Sequence, residues 1–140
     1  MNDFHFTFEK TWYDAPLAFW VHVAIKGEAK LYEPPAPDIV LHKGYPVLHV
    51  RYGVHDLRFS SGAQLAHCID VLASKPLPTS RQLSARRGLP VGPNGHWLSR
   101  LPAELKSPRT RTKLVDTLRL AWKFADAGAP IHAFLLAAAK

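Results

Sequence analysis

"VRYGVHDLRFSSGAQLAHCIDVLA", residues 50–73, changes its hydrophobic period in the middle. Before Ser60 the pattern has a period of two: Leu57 and Phe59 alternate with Asp56 and Arg58, as on a strand with one covered face. After Ser60, Leu65, Cys68, Ile69 and Leu72 recur at helical spacing and form one stripe. The switch is marked by "SGAQ", a capping box with Ser61 as N-cap and Gln64 three positions on. A strand therefore hands over to a helix here, and the two sides of this point divide the chain by structural type.

Upstream, the residues read as strands. In "DFHFTFE", Phe4, Phe6 and Phe8 alternate with His5, Thr7 and Glu9. "LAFWVHVAI" places Leu17, Phe19, Val21, Val23 and Ile25 on one side of an extended chain, and Ala18, Trp20, His22 and Ala24 on the other. "AKLY" starts a return strand that "EPPAPD" stops, because proline cannot donate to a ladder. "PVLHVRYG" and "VHDLRFS" add two strands, or one long strand bent at Gly53. The expectation is an antiparallel meander of about four to five strands within residues 3–59.

Downstream, the residues read as helices. Thr79 and Gln82 repeat the capping pattern for a short helix ending at Gly88, and another short helix runs from about Gly95 through "HWLSRL". Ser107-Pro108 opens the longest helix, 107–127, with Leu114, Leu118, Ala121, Trp122 and Ala125 inward; Gly128 and Pro130 end it. Sheet first and helices second, with no repeat or linker between, predicts one α+β domain over 1–140. The closing "IHAFLLAAAK" is apolar enough to pack on the body or to form a homodimer seam within 130–140.

Charge divides at the same place. Residues 1–70 hold six Lys/Arg against eight Asp/Glu, a net −2, while residues 71–140 hold twelve against three, a net +9. From Lys75 to Lys113 there are nine basic residues and a single acid, Glu104. Like charges at this density repel, so a face that needed only solubility would mix signs; an anionic partner is the reading that uses them. The single cysteine, Cys68, excludes an internal disulfide and thiolate metal clusters, and its place in an apolar stripe marks an inert core thiol. No apolar run reaches membrane-spanning length and no signal-peptide pattern opens the chain, so the expectation is a cytoplasmic protein with no membrane partner.

Motifs of chemistry are sparse. There is no GxxxxGK[ST] or GxGxxG phosphate loop, no GxSxG elbow and no HExxH. Among eight histidines, His49 with His55 and Asp56, or His5 with His22, are the metal or acid–base candidates, but none has a ligand spacing. No metal, cofactor or catalytic residue is assigned, and the chain is read as non-enzymatic. "RQLSARRGLP" resembles the first helix and turn of a helix-turn-helix, with Leu83, Ser84, Gly88 and Leu89 at fitting positions. Gly92 and Pro93 then interrupt the place of a recognition helix.

The basic stretch carries the functional expectation. Its arginines outnumber lysines six to three, which favours bidentate contacts to phosphate, and helix starts lie beside them. The expected nucleic-acid contacts, DNA or RNA, are Arg81, Arg86, Arg87, His96, Trp97, Arg100, Lys106, Arg109, Arg111 and Lys113, with Trp97 offered as a base-stacking surface. A second aromatic and basic platform would arise if Trp20 and His22 faced outward with His49 and Arg51. The competing expectations are an adaptor for an acidic protein and a small metal- or histidine-dependent enzyme.

Overall fold

The computed structural model describes residues 3–24, 32–33, 36–37, 39–78, 82 and 97–127. Its centre is a three-stranded antiparallel sheet in the order β1 (Asp3–Glu9), β4 (Tyr45–Tyr52), β5 (His55–Phe59). The register pairs Phe4 with Val50 and Leu48 with Phe59 on the core side. On the other side it aligns His5, His49 and Arg58 in one row and Asp3, Arg51 and Asp56 in the next. The β4–β5 hairpin closes through Gly53-Val54, and Gly53 supplies the positive φ of 62° that this two-residue loop needs at its first position. Gly44, with φ 118°, lies where a Cβ would sit 2.6 Å from the carbonyl oxygen of Glu9, so only glycine lets the chain enter β4 against the end of β1.

The α+β class and the packing of C-terminal helices on the sheet are as the sequence predicts; the strand count is not. The main sheet has three strands, and β2 (Val23–Ala24) and β3 (Tyr32–Glu33) form a separate two-stranded ribbon. The expected strand over 17–25 is instead a helical turn, α1 (Ala18–Val21), before β2. Val21 and His22 donate their N–H to the carbonyls of Leu17 and Ala18, four residues back. A run apolar on both sides lacks true alternation and fits a buried turn of helix as well as a strand. Burial of Leu17, Ala18 and His22 decides for the turn.

Helix α2 (Gly62–Ala73) starts as expected. Ser61 is extended (φ −153°, ψ 158°) and its hydroxyl accepts the Gln64 N–H at 3.2 Å. The returning Gln64 amide reaches one residue further back than in the usual box: its oxygen accepts the Ser60 N–H at 3.0 Å and its nitrogen donates to Ser60 Oγ at 2.7 Å. Ser60 Oγ donates to the Trp12 carbonyl at 2.6 Å, and Ser61 Oγ meets His22 Nε2 at 2.7 Å. All of these side chains are buried, so the cap also pins residues 12–22 to the start of α2. Ser61→Ala removes the cap and the contact to His22 Nε2; a loss of about 2 kcal/mol in urea unfolding is expected. A loss below roughly 0.5 kcal/mol would show that the network carries little.

The helical half continues through a 3₁₀ turn (Trp97–Arg100), a short helix α3 (Ala103–Lys106) and the long helix α4 (Pro108–Ala127). Leu114, Leu118, Ala121 and Ala125 are fully buried along one stripe of α4, and Trp122 packs partly covered beside them. With Leu65, Cys68 and Leu72 of α2 and Leu48, Val50 and Phe59 of the sheet they form one core. Phe124 lies across Phe4 and Phe6, with ring centroids 5.7 and 5.9 Å apart, closing α4 onto β1. Burial pushes the Cys68 thiol up to about 12, so the thiolate is absent at neutral pH. Native protein is expected to resist iodoacetamide at pH 8 and to react only after denaturation; labelling of the folded chain would contradict that burial. Of the short helix expected over 79–88 only Gln82 is described, as helical, and the segment 130–140, with its dimer seam, lies outside the described residues.

Candidate nucleic-acid interface

Two helices set the geometry of the basic half. Ser74 ends α2, its N–H bonded to the Val71 carbonyl and its hydroxyl donating to the Asp70 carbonyl at 2.8 Å, and Lys75 leaves from this corner. Pro108 opens α4 without losing a hydrogen bond, and the Ser107 carbonyl accepts the Arg111 N–H at 2.8 Å. The Ser107 hydroxyl turns back to the Glu104 carbonyl instead of capping. From there Arg111, Val115 and Arg119 follow at four-residue intervals and point toward the end of α2.

Between the two helices lies a cleft of about 210 Å³. Leu72, Ala73 and Val115 line its apolar part, while Lys75, Arg111 and Arg119 supply three cations and Asp116 one carboxylate. Arg119 and Asp116 approach only to 4.0 Å and both are more than half exposed. Such a pair contributes little to stability and leaves the guanidinium open to another anion. Arg111 is partly buried and donates one N–H to the Lys106 carbonyl at 3.1 Å; Lys106 in turn donates to the Leu98 carbonyl at 3.3 Å. These bonds hold the two stems in place and use only part of their donor capacity.

Of the residues expected from sequence, Arg109 and Lys113 are exposed on the first turns of α4, and Lys106 and Arg111 are half-buried as above. Arg100 is described only as the last residue of the 3₁₀ turn. Arg81, Arg86, Arg87 and His96 lie outside the described residues. Trp97 corrects the sequence reading: it is 4% exposed, belongs to the core and meets His67 edge-on at 5.8 Å. Its ring face is given to the interior, so it offers no surface to a base. Burial also lowers the proton affinity of His67, which Asp70 partly offsets.

The sequence reading passed over Lys75, Arg119 and Asp116 as contacts. A usable signal existed: Arg111 and Arg119 are eight apart, two turns of one helix face with Val115 between.

A second polar group lies on the outer side of the sheet. His49 Nδ1 is 3.1 Å from Asp56 Oδ2 and its Nε2 is 2.8 Å from Thr7 Oγ1, which donates to Glu9 at 2.6 Å; His5 stacks on His49 at 4.6 Å. Of these, Glu9 and His49 border a small cleft of about 110 Å³ that Thr11, Asp14 and Arg58 also line. His55 instead meets the Glu104 carboxylate of α3, and His22 is buried against Ser61, so His55 does not join His49 and His22 does not join His5. Trp20 packs partly covered against the core. The outward Trp20–His22 platform is therefore absent. Among the described residues no three His, Cys, Asp or Glu side chains converge as a metal site, and no helix is long and apolar enough to cross a membrane. No family model, no curated protein and no solved structure matches the chain.

Proposed function

We propose that the protein is a non-enzymatic nucleic-acid-binding accessory protein that holds phosphates with its basic helical half. The observation that carries the reading is the gathering of Lys75, Arg111 and Arg119 around one cleft, with Arg109 and Lys113 exposed on the adjoining turns of α4. These side chains come from two helices and from positions up to 44 residues apart in the chain, so the fold concentrates a charge that the sequence only segregates. Arginine at such a site suits phosphate because its planar fork makes paired, charge-assisted bonds and is weakly hydrated.

The test is fluorescence anisotropy of labelled duplex and single-stranded oligonucleotides titrated with the full chain at several salt concentrations. Binding that weakens steeply and linearly on a log–log salt plot supports the reading. No binding tighter than roughly 100 μM at the lowest salt would remove it. An acidic protein recovered by pull-down after nuclease treatment would then take its place.

A further inference from the structure

We propose that the solvent face of α4 lies in the major groove of double-stranded DNA, its flanking cations on the two phosphate rows and its middle line on the base edges. The inference rests on the nucleic-acid reading and names the class of nucleic acid and the element that enters it. Three features of α4 carry it.

The first is what the helix leaves open. Between residues 109 and 124 the exposed side chains recur at three-, four- and seven-residue spacings and so share one face, while Leu114, Leu118 and Ala121 hold the opposite face in the core. Arg109, Lys113, Arg119 and Lys123 are exposed on that face against a single acid, Asp116. Asp116 approaches Arg119 only to 4.0 Å and neutralises little of the excess. A polyanion is the partner that matches it.

The second is the order of groups across the face. At 3.6 residues per turn, Arg109, Asp116 and Leu120 fall within about 20° of one line. Lys113 stands about 40° to one side of that line, and Lys123 and Arg119 stand about 40° and 80° to the other. A section across a major groove has the same order: phosphates, base edges, phosphates. A carboxylate over a phosphate row would be repelled, whereas over the groove floor it accepts from the amino group of cytosine. On the same line Arg109 suits the paired acceptors of guanine, and Leu120, 55% exposed, suits the methyl group of thymine.

The third is dimension. A helix with its side chains is about 10–12 Å across, and the major groove of B-form DNA is about 12 Å wide. From Arg109 to Lys123 the face rises about 21 Å, the height of about six base pairs. The major groove of an RNA duplex is too deep and narrow for side chains to read, and a single strand has no groove.

The experiment compares four labelled oligonucleotides of equal length by anisotropy with the full chain at about 100 mM salt. They are a DNA duplex, the same duplex with its cytosines replaced by glucosylated 5-hydroxymethylcytosine, an RNA duplex and a DNA single strand. The glucose fills the major groove and leaves the phosphate charge unchanged. The expected result is that the plain DNA duplex binds at least about tenfold more tightly than each of the others. Lys113→Glu with Lys123→Glu, one cation from each flank, should weaken the plain duplex about fiftyfold and remove its advantage over the groove-filled one. Both lysines are exposed, and thermal melts by circular dichroism check that the variant is folded. Equal affinity of the unaltered chain for plain and groove-filled DNA overturns the groove placement and leaves a phosphate-only surface. An RNA duplex or a single strand bound as tightly as the DNA duplex overturns it as well. So does an advantage of the plain duplex that survives in the double variant, because groove recognition then lies on another element. Each of these outcomes leaves nucleic-acid binding standing, whereas failure of all four to bind removes the broader reading.

Discussion

Trp97→Ala is expected to lower the stability of the protein by about 3–5 kcal/mol, the range for removing a large aromatic side chain from a packed core. Trp97 is 4% exposed, packs with Leu98, Leu105 and the buried stripe of α4, and touches His67 edge-on. It also lines an open apolar pocket of about 230 Å³ with Leu57, Phe59 and Leu101. For a domain near 140 residues such a loss is a large share of the total. Denaturant unfolding monitored by circular dichroism measures it. Because the ring faces inward, the folded fraction of the variant should keep wild-type affinity for oligonucleotides. A variant of unchanged stability with weakened single-strand binding would reverse this assignment and restore a stacking role.

The salt dependence of binding is the other large effect. If five or six side chains of the basic half reach phosphates of a duplex, each displaces condensed counterion, and log K against log salt should fall with a slope of about −5. Between about 50 and about 300 mM salt, affinity would drop by several thousand-fold. Single strands should give a shallower line, because each contact there contributes roughly −0.7 instead of −0.9. Replacing Arg86 and Arg87 together by alanine should flatten the duplex slope by about two units. A slope near zero with measurable binding would mean that contacts other than phosphate hold the ligand.

The strand-to-helix switch at Ser60, the stripe Leu65–Cys68–Leu72 and the long helix through Leu114, Leu118 and Ala125 are all legible in the sequence. Each is written within a few residues, by period, cap or proline, and the physics that selects it is equally local. The turn at Ala18–Val21 was not legible. "LAFWV" is apolar at every position, and its conformation depends on Ser61 and Trp12 holding His22 from elsewhere in the fold. The main sheet accordingly lost a strand. His49 shows the same limit: its partners Thr7 and Asp56 come from the two flanking strands, and only the register brings them to one ring.

The sequence by itself determined that the chain pairs an acidic strand-rich half with a basic helical half, that its one cysteine is an inert core residue, and where the long helix begins and ends. Those properties follow from composition and from patterns shorter than one element. The tertiary structure alone decided that Trp97 is core and that Lys75, Arg111, Asp116 and Arg119 share a cleft over Leu72 and Val115. Which side of a residue is covered, and which charges meet, depends on how α2 and α4 cross. That crossing is fixed by the combined burial of both helices against the sheet, a sum over residues far apart in the chain that no local window contains.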